Sequence, residues 1–583
     1  MLAPDQRKVL GSNPSAPKFS LRDGVTGSMS GFELEDEGST PSPAANLLIA
    51  TDGTSIETHR EVTNMANKTL FKSLVGKLIP AANAFNEEHA PAYALSPKHQ
   101  LAQYAATGCL NTTFYANADE QLAKVLELCA DLDAEFIAKT AVFCRERGLM
   151  KDMPALLCAV LSVKDRELLA RVFPRVIDNA KMLRNFVQIM RSGAVGRKSL
   201  GSAPKRLVRE WLDARDPATL FKSNVGQDPS LTDIVKMVHP KPKDEVREAL
   251  FGYFIGREYA FEALPEVVRN FEAYKKGESR EVPDVPFQML TALELGTAEW
   301  TAIARRAPWQ MTRMNLNTFA RHGVFGQPEM TELIADRLRD PKAIAKARVF
   351  PYQLLVAYVM ANANANIPKE VSEALQDAME IAIANVPAIE GRVVVCPDVS
   401  GSMMSPVTGY RQGATTSVSC IDVAALVAAA VLRKNPRAEV LPFQFDVVNV
   451  NLNSRDSVMT NAANLASIGG GGTNCSAPLA LLNRRQAKAD LVVYVSDNES
   501  WVDARGGRGT ATMREWTVFK QRNPAARLAC IDVQPYGTVQ AVERDDILNI
   551  GGFSDQVFDV VSEFARGALN ADHWIGVLDS VAL

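Results

Sequence analysis

What the chain has little of narrows it first. No run among its 583 residues approaches the eighteen or so consecutive apolar residues needed to cross a bilayer. The opening Met1-Leu-Ala-Pro-Asp-Gln-Arg lacks the apolar core of a secretory signal, so a cytoplasmic location is expected. Cysteine is sparse and scattered (Cys109, Cys129, Cys144, Cys158, Cys396, Cys420, Cys475, Cys530), and no Cys-x-x-Cys occurs. That argues against a disulfide framework or a thiolate zinc site and fits small buried hydrophobes in a reducing compartment. The histidines (His59, His89, His99, His239, His322, His573) fall at no metal-ligand spacing. A strong excess of one charge is also missing, since the formal net charge is −3. Such a total leaves partners open, because a basic patch can hide inside it. A hydrophobic content of 47% with 22% charged residues is that of a soluble globular protein, and the length is too great for one core.

Three compositional zones follow one another. Residues 1–64 are rich in Gly, Ser, Pro and Thr without a sustained period, and are expected to form a disordered or poorly ordered extension. Residues 65–388 carry apolar residues at spacings of three and four, often with Asp or Asn ahead of the repeat, and no strand-like run. About a dozen consecutive helices with short connections predict an α-solenoid of HEAT-like pairs. Residues 260–275 and 289–307 each read as a single helix. From 389 to 583 the pattern switches to alternating strands and helices, a doubly wound α/β domain with strands expected at 393–396, 440–445, 491–495 and 528–533. The two domains are expected to have separate cores.

Chemistry concentrates where the first α/β strand ends. Val393-Val-Val-Cys396 is too short and β-branched for a helix, and reads as a strand buried on both faces. It runs into Asp398-Val-Ser400-Gly-Ser402, an acid and two hydroxyls at the carboxyl edge of a parallel sheet, where ligands bind in such folds. These oxygen donors suit a hard divalent cation. The loop Gly469–Asn474 and the strand end at Ser496-Asp497 bring Thr473 and Asp497 to the same edge. A phosphatase Asp-x-Asp is excluded by Ser400. Neither a Gly-x-Ser-x-Gly elbow nor a phosphate-binding glycine loop is present.

These three parts, in this order, resemble the metal-ion-dependent adhesion site of a von Willebrand factor A domain. The resemblance implies Mg²⁺ or another divalent cation, with Ser400 and Ser402 as direct ligands and Thr473 direct or water-bridged. Asp398 and Asp497 would hold coordinating waters. One position would stay open for water or an acidic ligand.

The combination of helical repeats and this domain resembles the Ro autoantigen and its bacterial relatives, the TROVE-domain RNA-binding proteins, from about residue 95 onward. The segments carrying it are Leu110-Asn-Thr-Thr-Phe-Tyr115, Ser230–Pro242, Lys346–Leu355, Gly471–Cys475, Asp497-Asn-Glu499 and Gly552–Asp555. Many relatives have an acid where Asn474 stands, so this site carries one less negative charge. The resemblance implies a multidomain protein in which an all-α HEAT-like ring (65–388) is closed by the A domain (389–583). It implies RNA partners: misfolded RNAs whose single-stranded 3′ ends enter the ring, and small Y-like RNAs on its outer surface. A 3′ exoribonuclease or other RNA-processing protein is the implied protein partner; DNA, membranes and self-association are not implied.

The residues themselves agree with RNA. Between Lys181 and Arg209 stand Lys181, Arg184, Arg191, Arg197, Lys198, Lys205, Arg206 and Arg209, with no acid. Such a run makes a positive patch able to track phosphates. The acid-free Thr301–Gly323 holds Arg305, Arg306, Arg313 and Arg321 with Trp309 among them, a mixture suited to unpaired bases. His239 before Pro240 is by residue type a structural histidine. The matching segment in relatives supplies an RNA-contacting one, with Lys222 and Lys241 as weaker companions. The expected function is a non-catalytic RNA-binding scaffold in RNA quality control or decay. The alternative is a metal-dependent module recruiting an acidic partner protein. A Mg²⁺-dependent hydrolase would need a second metal-binding acid and a base, for which only Glu499 is near.

Overall fold

The computed structural model describes residues 79–583, except 109, 227, 348, 350, 408, 411–417, 503–508, 553–554 and 570–572. The expected extension over 1–64 lies outside the described residues.

Helix starts follow local chemistry. Ser96, Asn117, Asp133, Asp165, Asn179, Asp216, Ser230 and Asp244 each turn a side-chain oxygen onto N–H groups of the first turn that have no partner within the helix. After a hairpin, β1 (Ala84–Phe85) and β2 (Pro91–Ala94), the helices begin with α1 (Pro97–Thr107), α2 (Ala118–Asp131), α3 (Ala134–Glu146), α4 (Asp152–Lys164), α5 (Arg166–Val176) and α6 (Ala180–Ser192). Next come α7 (Ser202–Asp213), α8 (Pro217–Lys222), α9 (Leu231–Val238), α10 (Glu245–Ile255), α11 (Glu266–Lys275) and α12 (Thr297–Arg306). The series closes with α13 (Trp309–Met314), α14 (Leu316–Arg321), α15 (Pro328–Arg339), α16 (Pro341–Ala347), α17 (Pro351–Asn362) and α18 (Lys369–Ala382). Among the early helices α1 packs on α2 and α3, α3 on α4 and α5, α4 on α5 and α6, and α5 on α7, the near-neighbour packing of a solenoid. Two expected helices are shorter than their apolar pattern. The one over 260–275 begins only at Glu266, after Pro265. The one over 289–307 begins at Thr297, because Glu299 reaches back to the Gly296 N–H at 2.9 Å and fixes the start there.

The α/β part consists of β3 (Val393–Pro397), α19 (Cys420–Lys434), β4 (Glu439–Val440), α20 (Val458–Ala466), α21 (Ala477–Arg484), β5 (Leu491–Ser496) and α22 (Ala511–Arg522). It continues with β6 (Arg527–Asp532), β7 (Thr538–Val539), β8 (Ile547–Gly551), α23 (Asp555–Ala565) and α24 (His573–Asp579). Five strands form a parallel sheet in the order β4-β3-β5-β6-β8, while β7 joins the hairpin in a small antiparallel sheet. The expected strand over 440–445 is cut short because Pro442 has no N–H; on either side of it Leu441 and Phe443 still donate to Val395 and Pro397.

Strand alternation decides where the core goes. Val394, Cys396, Val492, Tyr494, Leu528 and Cys530 face one side, where Leu479, Leu482, Met513, Trp516 and Phe519 of α21 and α22 cover them. Val393, Val395, Leu491, Val493, Val495, Ala529 and Ile531 face the other, and there the core runs without a break into the helical array. The expectation of separate cores is corrected accordingly: the described residues from 79 onward form one compact unit.

Both ends of the helical run dock on the α/β part. At the far end α17 packs on α19 and α18 on α20; Glu380 pairs with Arg433 at 3.1 Å and accepts the Val458 N–H at 3.0 Å. At the near end α1 lies against β8. There a Cβ on Gly551 would sit 3.0 Å from the Gln103 Cα, so only glycine permits the approach. Gln103 Nε2 donates to Asp532 Oδ2 (2.8 Å), His99 Nε2 donates to the Asn549 carbonyl (2.8 Å), and Phe143 of α3 meets Trp574 of α24 edge-on at 5.1 Å. The helical array therefore leaves the α/β domain and returns to it, closing on itself.

The His99 contact carries a pH signature. Burial, then the charge of His573, pulls the imidazole down from 6.5 to about 4 against the support of the Asn549 carbonyl. A histidine depressed in the fold contributes fully above its unfolded pKa and loses that contribution as pH falls from 6.5 through 4. The wild type should lose up to about 3 kcal/mol over this window relative to His99→Gln, read as the difference between their urea midpoints at pH 7 and pH 4. Parallel pH profiles would show that the docking does not depend on a neutral imidazole.

Candidate metal centre and basic surface

Past β3 the backbone stays in the sheet for two more residues, as Asp398 N–H donates to Val495 O and Val399 N–H to Phe443 O, both at 2.9 Å. This buries Asp398 completely. Its Oδ1 accepts the Ser400 N–H at 2.9 Å and its Oδ2 the Ser496 hydroxyl at 2.6 Å. Ser400 and Ser402 turn their oxygens to within 3.4 Å of each other. The glycine loop is stitched alongside: Gly401 N–H donates to Gly471 O (2.9 Å) and Gly470 N–H to Val399 O (3.0 Å). Gly470 and Gly471 have φ of 130° and 78°, values a side chain would oppose. This places Thr473, buried, beside the serines, and Asp497 arrives from the end of β5 with its Oδ1 on the Glu499 N–H (3.2 Å). Three separate segments of chain thus deliver five oxygen-bearing side chains to one edge.

The electrostatics are those of a site short of positive charge. Burial and then the charge of Asp497 push Asp398 up to about 7, against hydrogen bonds from Ser400 and Ser496. Burial likewise raises Asp497, against Ser402 and backbone N–H groups. Among the described residues no lysine or arginine pairs with either acid. Two adjacent buried carboxylates with hydroxyl companions and no cationic side chain fit a hard divalent ion, which supplies the missing charge. Among the described residues no set of three or more His, Cys, Asp or Glu is arranged to hold a metal instead.

Neighbouring residues have other duties. Asn474 donates to Phe445 O (3.1 Å) and accepts from the Ser476 hydroxyl (2.7 Å), so it ties down a loop through a donor that an acid would lack. Glu499 is fully buried with Oε2 on the Glu87 N–H (2.8 Å), and burial followed by the charge of Asp497 holds its carboxyl far above the usual range. An acid pinned by a backbone N–H in the interior is a poor general base. Sequence reading missed Ser496, which orients Asp398, and Asp532, clamped by Gln103 and Asn498 behind the edge. Both lie at predicted strand ends, the signal that could have found them.

The basic residues divide by surroundings. Lys181, Arg191, Lys198, Arg206, Arg209, His239, Lys241, Arg305, Arg306 and Arg321 are exposed. Among the described residues no side-chain hydrogen bond or ion pair holds Lys181, Arg191, Lys198, Lys205 or Arg321. Arg209 donates Nε to Val238 O at 2.5 Å, which sets it beside His239. His239 ends α9 in a left-handed conformation (φ 51°) with its ring outward. Since α9 packs on both α6 and α7, Arg191, Arg209 and His239 share one surface although far apart in sequence. Others serve the fold. Arg184 packs under Gly226 and burial lowers its pKa; Arg197 caps Ser162 O (3.2 Å); Lys222 pairs with Asp284 (2.6 Å). Arg206 meets Glu210 at 3.8 Å, an exposed pair of little energetic weight. Arg305 pairs with Glu329 (3.6 Å), and Arg306 donates to Val282 O (2.6 Å). Arg313 binds Gln353 O (2.8 Å) and is pushed down to about 10 by burial. Trp309 is in the core with its Nε1 on Leu338 O (2.9 Å), so the expected stacking platform is absent there. Arg313 and Arg321 line a cavity of about 760 Å³ with Asn317, Asn364 and Asn366.

Comparison with known proteins bears on both parts. Residues 392–565 match the family model of the Ro60 vWA domain. The chain is 23% identical over 515 residues to the RNA-binding protein RO60 of Deinococcus radiodurans, covering 82% of this chain and 94% of that one. It is 24% identical over 257 residues to the RNA-binding protein RO60 of Caenorhabditis elegans, covering 40% and 37%. The crystal structure of the Deinococcus radiodurans RO (RSR) protein superposes with a TM-score of 0.57 at 20% identity, over 81% of this chain and all of that one. The Ro-type resemblance and the fold class expected from the sequence hold over most of the chain.

Asp398→Asn removes one negative charge while keeping partners for Ser400 and Ser496. Mg²⁺ binding by calorimetry should weaken at least about tenfold. In EDTA the variant should melt no lower than the wild type, because a buried like-charge repulsion is relieved. Unchanged Mg²⁺ affinity would remove Asp398 from the site.

Proposed function

We propose that the chain is a non-catalytic, Ro-type RNA-binding scaffold. Its targets are structured or misfolded RNAs with single-stranded 3′ ends and small Y-like RNAs, and its setting is RNA quality control or decay in the cytoplasm. The observation that carries this reading is the exposed cationic surface where α6, α7 and α9 meet, on a helical array closed by its own α/β domain. Relatives bearing the name RNA-binding protein RO60 support it.

The chemistry is positioning and charge. Lys181, Arg191, Lys198, Lys205 and Arg209 attract phosphates, and His239 beside Arg209 offers a ring to an unstacked base. Arg321, at the cavity with Asn317 and Asn364, offers donors to a single strand. An array closed on itself admits one strand more readily than a duplex, so RNAs with an unpaired end beside a stem are selected. Ser400 and Ser402 would hold Mg²⁺ directly, Thr473 directly or through water, and Asp398 and Asp497 through water. The ion supplies charge balance at the edge, and no bond of the RNA is broken there. A 3′ exoribonuclease is the fitting partner for RNA held by its tail.

Two measurements check the reading. In competition titrations at fixed salt, a stem with a 3′ tail should bind more tightly than the matched blunt duplex; equal affinities would contradict threading of the tail. The combined Arg191→Gln and Arg209→Gln variant should weaken binding and lower the log–log salt slope by roughly 0.7 for each lost contact to a single strand. An unchanged slope would mean this surface is merely solvated.

A further inference from the structure

A cavity of about 620 Å³ lies at the seam where the near end of the helical array meets the α/β domain. One wall is a cross-strand pair, Tyr93 of β2 opposite Val539 of β7, and the pairing carries on through the Leu95 N–H to Gly537 O at 3.1 Å. Leu95, Leu132 at the end of α2 and Ile575 of α24 add apolar surface. Cavities of this size and lining take small molecules, with a few polar groups fixing their orientation.

The polar chemistry comes from Glu543. Its Oε2 accepts both the backbone N–H of Asn549 (2.9 Å) and Asn549 Nδ2 (2.7 Å), and the Asn549 carbonyl in turn accepts His99 Nε2 from α1 (2.8 Å). Its Oε1 is buried and has no hydrogen-bond partner among the described residues. A buried acceptor left unpaired is costly, the more so on a group able to carry charge. Burial lifts this carboxyl to about 7 against the two Asn549 bonds, and among the described residues no lysine or arginine pairs with it. Lys98 also lines the cavity, but its Nζ sits 3.5 Å from Asp579 and 3.8 Å from Asp133, above the Phe136 ring at 4.7 Å. The walls therefore present two carboxyl groups, Glu543 and Asp579, against one ammonium already shared between two acids.

We propose that this cavity binds a small organic cation, an ammonium or amidinium group on an apolar body, with its N–H donors on Glu543 Oε1 and its body against Tyr93, Leu95, Leu132, Val539 and Ile575. Such a ligand brings positive charge to an acidic wall and satisfies the leftover oxygen with a charge-assisted hydrogen bond. It uses none of the residues assigned to the metal edge or to the basic surface. The walls come from the hairpin, the first two helices and the α/β domain, so a bound cation also ties the near end of the array to the domain on which it docks. The link runs from ligand to Glu543, to Asn549, to His99 of α1.

The test uses the full chain and benzamidine, an amidinium on a phenyl ring, with uncharged benzamide and anionic benzoate as matched controls. Calorimetry should show one benzamidine per wild-type chain, with benzamide and benzoate weaker by at least about tenfold. Glu543→Gln keeps an acceptor for Asn549 but puts an amide NH₂ in place of Oε1, and should weaken benzamidine by at least about tenfold. Ala94→Trp, at an exposed position of the wall, should block binding by filling the cavity with Glu543 intact. Hydrogen exchange over residues 97–107 should slow when benzamidine is added to the wild type and stay unchanged in Glu543→Gln. No binding to wild type, benzoate binding as tightly as benzamidine, or full affinity in either variant would overturn the site. Binding without slower exchange over 97–107 would overturn the tie across the seam and leave the site standing.

Discussion

The fold depends on one helix having no polar side. From Cys420 to Leu432 every residue of α19 but Asp422 is buried, and Asp422 is used to cap the helix start through Ser419. An apolar cylinder of this kind must be covered all round. The sheet covers it from one side and α17 with α20 from the other, which is why the helical array and the α/β domain cannot have independent cores. At that end the array is further fixed by polar ties where the apolar surface runs out: Glu380 with Arg433, Lys434 with Ala384 O, and Asn435 with the Ile389 N–H. The opposite end docks by different means, through the glycine-permitted approach of α1 to β8 and buried hydrogen bonds from His99 and Gln103.

The metal edge inherits its character from this burial. The sheet carries Asp398 and Asp497 to a buried edge, and no basic side chain follows among the described residues. Their charge is left to hydroxyls, backbone N–H groups and, on the reading given, a bound ion. The same edge is faced by residues of the hairpin and of the α1–α2 connection. Chemistry that would be open to solvent in an isolated α/β domain is here a seam between parts of one molecule.

Legibility in the sequence followed the range of the determining contacts. The oxygen-donor set was readable because strand, loop and hydroxyls are consecutive at 393–402, and a parallel sheet fixes which edge they reach. Strand β8 was not, because buried Asn549 and terminal Gly551 break the apolar run; their use appears only once α1 packs there. The acid-free runs were readable as charge and not as availability. Arg197 and Arg313 reach carbonyls 35 and 40 residues away along the chain and serve packing, whereas Arg191 points outward and Arg209, with Nε on Val238 O, stays exposed. Trp309 illustrates the same limit: its composition neighbourhood suggested stacking, but its indole finds Leu338 O inside the core.

The central claim is that RNA is held by the helical array and that the metal edge is structural. Ultraviolet crosslinking of bound RNA to the full chain, followed by peptide mapping, tests it most directly. The account predicts crosslinked peptides from α6 to His239 and from the Arg321 cavity, with none spanning 398–404, 469–475 or 497–501. Crosslinks concentrated on those three loops, with the helical surface clear, would contradict it.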